Sequence, residues 1–256
     1  MPPTASTFGK VTNDYQPINL KINKMDEIEI LYEDNHLIAI NKHSSDLAQG
    51  DNTGDSPLAN KVAEYLKVKY NKPGNVFVGV THRLDRPVSG VMIFARTSKA
   101  LERMNRLFKE KSDLEKIYWA IVEKRPQEPQ GKLVNYLRKN EKQNKSYVCA
   151  PTDEGAKEAQ LEYKLLDESD KYYLIEVKLL TGRHHQIRVQ LANIGCIIKG
   201  DLKYGARRSN PDGSISLHAR RISFTHPVSK QHIDIVAPVP ENTLWKYFEN
   251  RQTDNK

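Results

Sequence analysis

The chain has 256 residues, of which 38% are hydrophobic and 28% charged, so one or two globular domains with a sizeable core fit. Two cysteines exclude a disulfide framework, and no apolar run approaches the roughly 18 residues of a membrane-spanning helix. The net charge of +8 and the lack of an apolar N-terminal segment predict a cytoplasmic protein with a polyanionic partner and no membrane partner.

Hydrophobic patterning predicts the elements in chain order. Residues 1–27 are polar and aperiodic and predict an N-terminal arm; a domain over 28–250 and a frayed C-terminal tail over 251–256 follow. The predicted strands are a hairpin over 28–32 and 37–41, then 76–80, 91–95, 117–122, several between 130 and 180, 217–225 and 232–236. The predicted helices run from Ser56-Pro57 to about Lys69, from a Ser98 cap onward, over 183–194 and over 241–248. This order predicts an α+β fold with a largely antiparallel sheet.

Positive charge concentrates in two segments. Residues 178–221 hold nine Lys and Arg against two acids, and residues 81–111 hold eight against three. Such clustering favours a polyanionic partner such as RNA or DNA, because each phosphate contact releases counterions. A merely soluble basic protein is the alternative.

Residues 81–90 (THRLDRPVSG) form a charged loop between two predicted apolar strands. Asp85 stands between Arg83 and Arg86, whose charges favour the ionised carboxylate. An ionised Asp beside an anionic substrate can act as nucleophile or base. A surface turn with a local Asp–Arg pair is the alternative.

Two further segments carry candidate residues. Within residues 114–122, Tyr118 shares a strand face with Lys116, so the pair can stack on a base and meet a phosphate; a core aromatic is the alternative. Within residues 180–191, a predicted helix brings Arg188 near His184 and His185. The two histidines would lie about 100° apart, and no acid or cysteine joins them at a ligand spacing, which argues against a metal site.

Together these segments resemble the RluA-type family of RNA pseudouridine synthases. Three motifs carry the resemblance in family order: HRLDR-x-x-SG over 82–90, Glu115-Lys116-x-Tyr118, and residues 182–188. Supporting matches are Glu33-Asp34, Ile40-Asn41-Lys42, Gly200-Asp201 with Tyr204-Gly205, Leu217-His218-Ala219 and His226-Pro227. The chain departs from the family at His43-Ser44-Ser45, at Pro87-Val88 and at His184, and residues 1–27 leave no room for an S4-type domain.

The resemblance implies a pseudouridine synthase fold, a mixed and largely antiparallel sheet with flanking helices around a central catalytic cleft. It implies isomerisation of uridine in rRNA or tRNA, or both, after base flipping, without metal or organic cofactor. A monomer is the default expectation, and the oligomeric state stays open. Asp85 would be the essential carboxylate, attacking C1′, attacking C6 or forming a glycal. Tyr118 would stack on the target base, and Arg188 would pair with Asp85.

The implied RNA contacts are Arg83, which would fill the space left by the flipped base, and Arg86, Lys116, Arg183 and Gln186. Arg207-Arg208 fits either an RNA contact or a solvated basic loop. Two other function classes stay open: an RNA-binding chaperone on this fold, and a glycosidase that only cleaves the base, although glycosidases usually need two carboxylates.

Overall fold

A computed structural model describes residues 28–48, 56–110 and 113–254; the predicted N-terminal arm lies outside them. The strands in this part are β1 (Glu29–Glu33), β2 (Leu37–Lys42), β3 (Gly79–Val80), β4 (Ser89–Ala95), β5 (Leu114–Val122), β6 (Gln130–Asn140), β7 (Lys145–Cys149), β8 (Lys157–Glu168), β9 (Tyr173–Leu179), β10 (Leu217–Thr225) and β11 (His232–Val236). The helices are α1 (Leu58–Lys69), α2 (Ser98–Glu110), α3 (Gln186–Asn193) and α4 (Thr243–Asp254), with a 3-10 turn at Leu202–Tyr204.

The described strands form one sheet in the order β1-β2-β4-β10-β5-β9-β8-β6-β7, with β11 on β10 and β3 on β4. Their pairings are antiparallel except for β4 with β10, which are parallel. The α+β class and the largely antiparallel sheet are therefore confirmed.

The β4–β10 junction joins the two halves of the sheet through two residue pairs, Ser89 with His218 and Gly90 with Ala219. Gly90 has φ +115°, and a Cβ there would lie 2.3 Å from the Ala219 carbonyl oxygen, so only glycine fits. Beside it, Ser89 Oγ and His218 Nδ1 form a buried 2.8 Å hydrogen bond. The junction therefore fixes the strand that begins directly after the Asp85 loop.

Side-chain alternation along β5 divides the core between the two faces of the sheet. Tyr118 and Ala120 belong to the buried cluster that contains residues of α2 and α3. Trp119 and Ile121 point the other way and pack with Trp245 of α4. Helix α1 packs in a separate cluster against β2 and β4. Leu84, Tyr118 and Ile187 all belong to this α2–α3 cluster, so Tyr118 lies on the same side of the sheet as the chain neighbours of Asp85 and Arg188.

Local backbone contacts correct two predicted caps and one strand. Pro57 itself is the cap of α1 and makes no side-chain cap hydrogen bond; the helix start is held by Leu58 N–H donating to the Leu47 carbonyl at 2.8 Å. Helix α2 already includes Ser98, and the Thr97 hydroxyl accepts from Ala100 N–H at 3.1 Å. The strand predicted over 76–80 shrinks to Gly79–Val80, because only these residues pair with β4.

The predicted tail is also partly wrong. Helix α4 extends to Asp254 instead of ending near residue 248. Arg251 on this added turn donates two hydrogen bonds to the Asp167 carboxylate, at 2.7 and 3.0 Å, which ties the helix end to β8. Only residues 255–256 of the predicted tail lie outside the described residues.

Candidate active site

The Asp85 loop connects β3 to β4 and is held from inside by a buried lysine. The Lys42 side chain is fully buried, and its Nζ donates to the carbonyls of Arg86 at 3.0 Å, Val88 at 2.7 Å and His43 at 2.9 Å. A turn bond from Val88 N–H to the Asp85 carbonyl, 3.0 Å long, closes the loop. The loop backbone is therefore fixed from Asp85 to Val88.

Burial shifts the acidity of this lysine. Desolvation lowers the pKa of Lys42 to about 8, with a small further lowering from Arg86, while Asp46 and Asp85 oppose the shift. The three carbonyl acceptors match the three N–H bonds of an ammonium group. Lys42 thus holds the loop best in its charged form.

Arg188, on the first turn of α3, connects two carboxylates. Its Nε and Nη2 donate to Asp201 at 2.7 and 2.8 Å, and its Nη1 donates to Asp85 Oδ2 at 3.1 Å. Arg188 and Asp201 are 5% and 1% exposed, whereas the Asp85 side chain is 30% exposed. Burial lowers the pKa of Arg188, but Asp201 and then Asp85 outweigh it and raise the pKa. The expected Arg188–Asp85 pair is present, with Asp85 as its solvent-accessible end.

The predicted helical placement of the two histidines is wrong. Helix α3 begins at Gln186, and His185 precedes it with a left-handed φ of 53°. This bend stacks the rings of His184 and His185 with centroids 3.8 Å apart, instead of turning them about a helix axis. Among residues 28–48, 56–110 and 113–254, no three His, Cys, Asp or Glu side chains come together in a metal-binding group.

The bend places His185 against Asp85. Its Nε2 lies 3.5 Å from Asp85 Oδ2, and its Nδ1 lies 3.0 Å from the Tyr204 hydroxyl, which accepts from Ser146 N–H at 2.9 Å. Burial, reinforced by Arg188, lowers the pKa of His185 to about 2, so the imidazole is neutral. A neutral ring with its proton on Nε2 presents an N–H to the carboxylate.

Tyr118 of β5 is 9% exposed and belongs to the same core cluster as Leu84, which precedes Asp85, and Ile187, which precedes Arg188. Burial raises its pKa, and the charge of Asp85 raises it further. The phenol therefore stays protonated over the pH range in which proteins work.

The residues predicted to contact RNA differ in exposure. Arg83, Arg86 and Arg183 are exposed, as a phosphate contact requires, and Arg183 Nε also donates to the Glu158 carbonyl at 2.8 Å. Lys116 is half-buried, with its Nζ 5.9 Å from the centre of the Phe108 ring.

Gln186 occupies a different kind of position. It is 3% exposed, and its Oε1 accepts from the Thr181 hydroxyl at 2.6 Å and from Arg183 N–H at 2.9 Å. Its Nε2 donates to the Gln160 carbonyl at 3.0 Å. Its amide is thus used within the protein to shape the turn before α3, which the sequence alone did not indicate.

The sequence alone assigns no role to Asp201, Lys42 or the His185–Tyr204 pair. Asp201 and Tyr204 lie in the Gly200–Gly205 segment, and Lys42 ends β2; both segments were noted only as family matches. The contacts of these residues with the Asp85 loop and Arg188 join distant parts of the chain. In the sequence, only their residue types could have indicated a role in the site.

The RNA pseudouridylate synthase family model matches residues 36–193. The chain therefore belongs to this family, whose members are isomerases that act on RNA, and the resemblance to its RluA-type members is confirmed.

Among similar proteins, an uncharacterized RNA pseudouridine synthase of Synechocystis sp. is 33% identical over 217 residues, which cover 83% of this chain and 66% of that protein. The ribosomal large subunit pseudouridine synthase C of Vibrio cholerae is 32% identical over 236 residues, 89% of this chain and 71% of the relative. The chain thus spans between about two thirds and three quarters of the length of these relatives.

Solved structures confirm the pseudouridine synthase fold. The human RNA Pseudouridylate Synthase Domain Containing 4 aligns with a TM-score of 0.72 at 23% identity, covering 87% of this chain and 93% of that one. In the part of the chain that the structure describes, no helix is long and apolar enough to cross a membrane.

Proposed function

We propose that this protein isomerises uridine in RNA to pseudouridine with Asp85 as the essential carboxylate. The observation that carries the proposal is the Asp85–Arg188 contact: the Asp85 carboxylate is partly exposed, while the guanidinium that it contacts is buried and held by Asp201. This arrangement provides an ionised, oriented carboxylate where a substrate can reach it.

The reaction is an isomerisation, so no atom is gained or lost overall. The C1′–N1 bond breaks, the uracil ring turns, C5 bonds to C1′, and the hydrogen on C5 leaves to water while N1 takes up a proton. Asp85 attacks C1′ or C6, or removes a proton to give a glycal; each route uses the carboxylate that Arg188 orients.

Tyr118 and His185 complete the proposed cleft. The Tyr118 ring offers a stacking surface for the turned base, and its neutral hydroxyl is a hydrogen-bond donor beside the reacting ring. The neutral ring of His185 lies against the Asp85 oxygen that Arg188 also contacts, with its Nε2 3.5 Å from Oδ2. Neither Tyr118 nor His185 adds charge beside Asp85.

The target base must leave its stack to reach Asp85, at a cost of a few kcal/mol that phosphate and stacking contacts offset. Arg83 and Arg86 flank Asp85 and are exposed, so we assign them to the RNA backbone and to the space that the base vacates. Arg183 extends this surface. Gln186 is assigned to the turn, not to RNA.

Large-subunit rRNA is the first substrate to test, because several relatives carry that substrate in their names; tRNA is the second. Unmodified transcripts of both are incubated with the protein, and pseudouridine is mapped by carbodiimide-dependent primer extension. One or a few fully modified positions are the expected result. Free uracil without pseudouridine would identify a glycosidase instead.

The structure offers a reason against the glycosidase. Asp201 is the candidate for a second catalytic carboxylate, because it shares Arg188 with Asp85. However, both of its oxygens accept hydrogen bonds from Arg188, and it is 1% exposed. Asp201 is therefore not placed to reach a substrate, so it does not supply the second carboxylate that a glycosidase usually needs.

A further inference from the structure

We propose that a second site, the basic pocket, binds a backbone phosphate of the substrate RNA and stacks a flanking base. Its lining is Lys171, Tyr172, Lys199, Arg207 and Arg208, with Glu123 and Ser209 at its border, and its volume is about 440 Å³. This inference rests on the proposed function, because it assumes an RNA substrate.

Positive charge exceeds negative charge in the basic pocket, although Asp212, outside the lining, also attracts Lys199. Four cations face one acid, Glu123. Arg207 and Arg208 are exposed and have no ion pair among residues 28–48, 56–110 and 113–254, unlike Arg221, which pairs with Asp234 at 2.6 Å. A guanidinium group can donate two parallel hydrogen bonds to the oxygens of one phosphate. Two adjacent arginines without an ion pair therefore favour a phosphate ligand.

One cation of the basic pocket is held in position before any ligand binds. Lys199 Nζ donates to Asn210 Oδ1 at 2.5 Å and lies 5.8 Å from the centre of the Tyr172 ring. Asn210 is 8% exposed, and its Nδ2 donates to Ser216 Oγ at 3.2 Å. A fixed donor lowers the entropy lost on binding, which distinguishes a built site from a mobile charged loop.

The half-buried Tyr172 ring gives the pocket an aromatic surface beside these cations. An aromatic side chain within a basic groove is the common design of sites for single-stranded nucleic acid, because every base can stack and every nucleotide carries a phosphate. An extended RNA strand therefore fits this composition.

The basic pocket is connected to the catalytic centre through backbone. Lys199 is two residues from Asp201. Gly200 between them has φ +87°, and a Cβ on this residue would lie 2.8 Å from Asn210 Cγ, so only glycine fits. Ile215 N–H, just beyond the loop, donates to the Pro87 carbonyl of the Asp85 loop at 3.1 Å. RNA held in the pocket would thus keep a fixed relation to Asp85.

The test compares the double variant Arg207→Gln/Arg208→Gln with a matched control, Lys67→Gln/Lys72→Gln. Both control lysines are exposed, and they lie at the end of α1, which packs in a different core cluster from the one beside Asp85. The probe is an unmodified large-subunit rRNA transcript labelled with tritium at C5 of uracil. Tritium release gives kcat and KM, and filter retention at several salt concentrations gives Kd.

We expect the Arg207/Arg208 variant to raise KM and Kd about tenfold, to leave kcat within about twofold, and to lower the salt slope by about 1.4, because each single-strand phosphate contact contributes about 0.7. The control should change none of these. Unchanged Kd and KM, equal losses in the control, or a fall in kcat alone would each overturn the basic pocket. If the wild type released no tritium, the proposed function would fail, while the Kd comparison would still decide the pocket.

Discussion

Arg188 holds Asp201 with two hydrogen bonds, of 2.7 and 2.8 Å, and Asp85 with one of 3.1 Å. The two-point contact fixes the plane of the guanidinium, so Nη1 can point in one direction only. Asp201 therefore positions Asp85 through Arg188, although it does not itself face the cleft.

Asp201→Asn should separate this positioning role from binding. The amide keeps one acceptor but removes the charge, leaving Arg188 less constrained in a buried site. We expect kcat to fall about 100-fold with KM little changed, since misplacement by about 1 Å has that effect, and the free energy of unfolding to fall by about 3 kcal/mol.

The matched control is Asp234→Asn, which weakens another two-point arginine contact, with Arg221, at the surface. Exposed pairs stabilise proteins by about 0–1 kcal/mol, so this variant should keep its activity and most of its stability. Tritium-release kinetics and urea unfolding measure both quantities. Wild-type kcat in Asp201→Asn would refute the positioning role.

Lys42 predicts a pH dependence. The pKa of Lys42 is about 8 in the folded chain, against an ordinary 10.5. As the pH rises, the folded chain therefore loses this proton at a lower pH than the unfolded chain does. The cost of burying the charge therefore destabilises the fold below about pH 8 and is relieved between about pH 8 and 10.5. A neutral amine, however, has two N–H bonds for three carbonyls, so the Asp85 loop is held less well.

We accordingly expect kcat to decline as pH rises through about 8, without a matching loss of global stability. Lys42→Met should be slower at pH 7 and lack this step, whereas the exposed-lysine control Lys67→Met should retain it. Single-turnover rates and urea unfolding between pH 6 and 10 provide the comparison. A decline of the same size in Lys42→Met would assign the titration to another group.

Tyr118→Phe keeps the stacking ring and removes only the hydroxyl. If the hydroxyl assists proton transfer, kcat should fall about 100-fold while KM stays within about threefold. Because its raised pKa keeps the Tyr118 hydroxyl protonated, we expect it to act in its neutral form. Raising the pH should therefore not restore the rate of Tyr118→Phe.

Tyr163→Phe is the control, since Tyr163 is 8% exposed, belongs to the same core cluster and donates only to the Glu128 carbonyl at 3.3 Å. It should retain full kcat. Full activity in Tyr118→Phe would limit Tyr118 to packing and stacking.

The sequence predicted features that depend on neighbours along the chain. The β1–β2 hairpin and the loop around Asp85 are local, since alternation and turn residues specify them. The parallel β4–β10 contact could not be predicted in this way, because Gly90 and Ala219 are far apart in the chain and residue type does not name a partner strand.

Within the site, the same limit explains the missed residues. Lys42 contacts the carbonyl of Arg86, 44 residues away, and a lysine is ordinarily expected at the surface. The left-handed φ of His185 conflicts with the helical pattern around it, because a non-glycine residue seldom adopts this conformation unless contacts outside its own segment hold it there. Those constraints come from Asp85 and Tyr204, which the local pattern does not contain.

The central claim is that the Asp85 carboxylate performs the isomerisation. The direct measurement is tritium release from uracil-labelled large-subunit rRNA transcript by the wild type and by Asp85→Asn, with RNA affinity measured in parallel. We predict saturable release by the wild type, less than about 1% of that rate in Asp85→Asn, and affinities within about tenfold of each other, because the change removes the reacting carboxylate but few RNA contacts. Release by Asp85→Asn above that level, with affinity intact, would contradict the role assigned to Asp85.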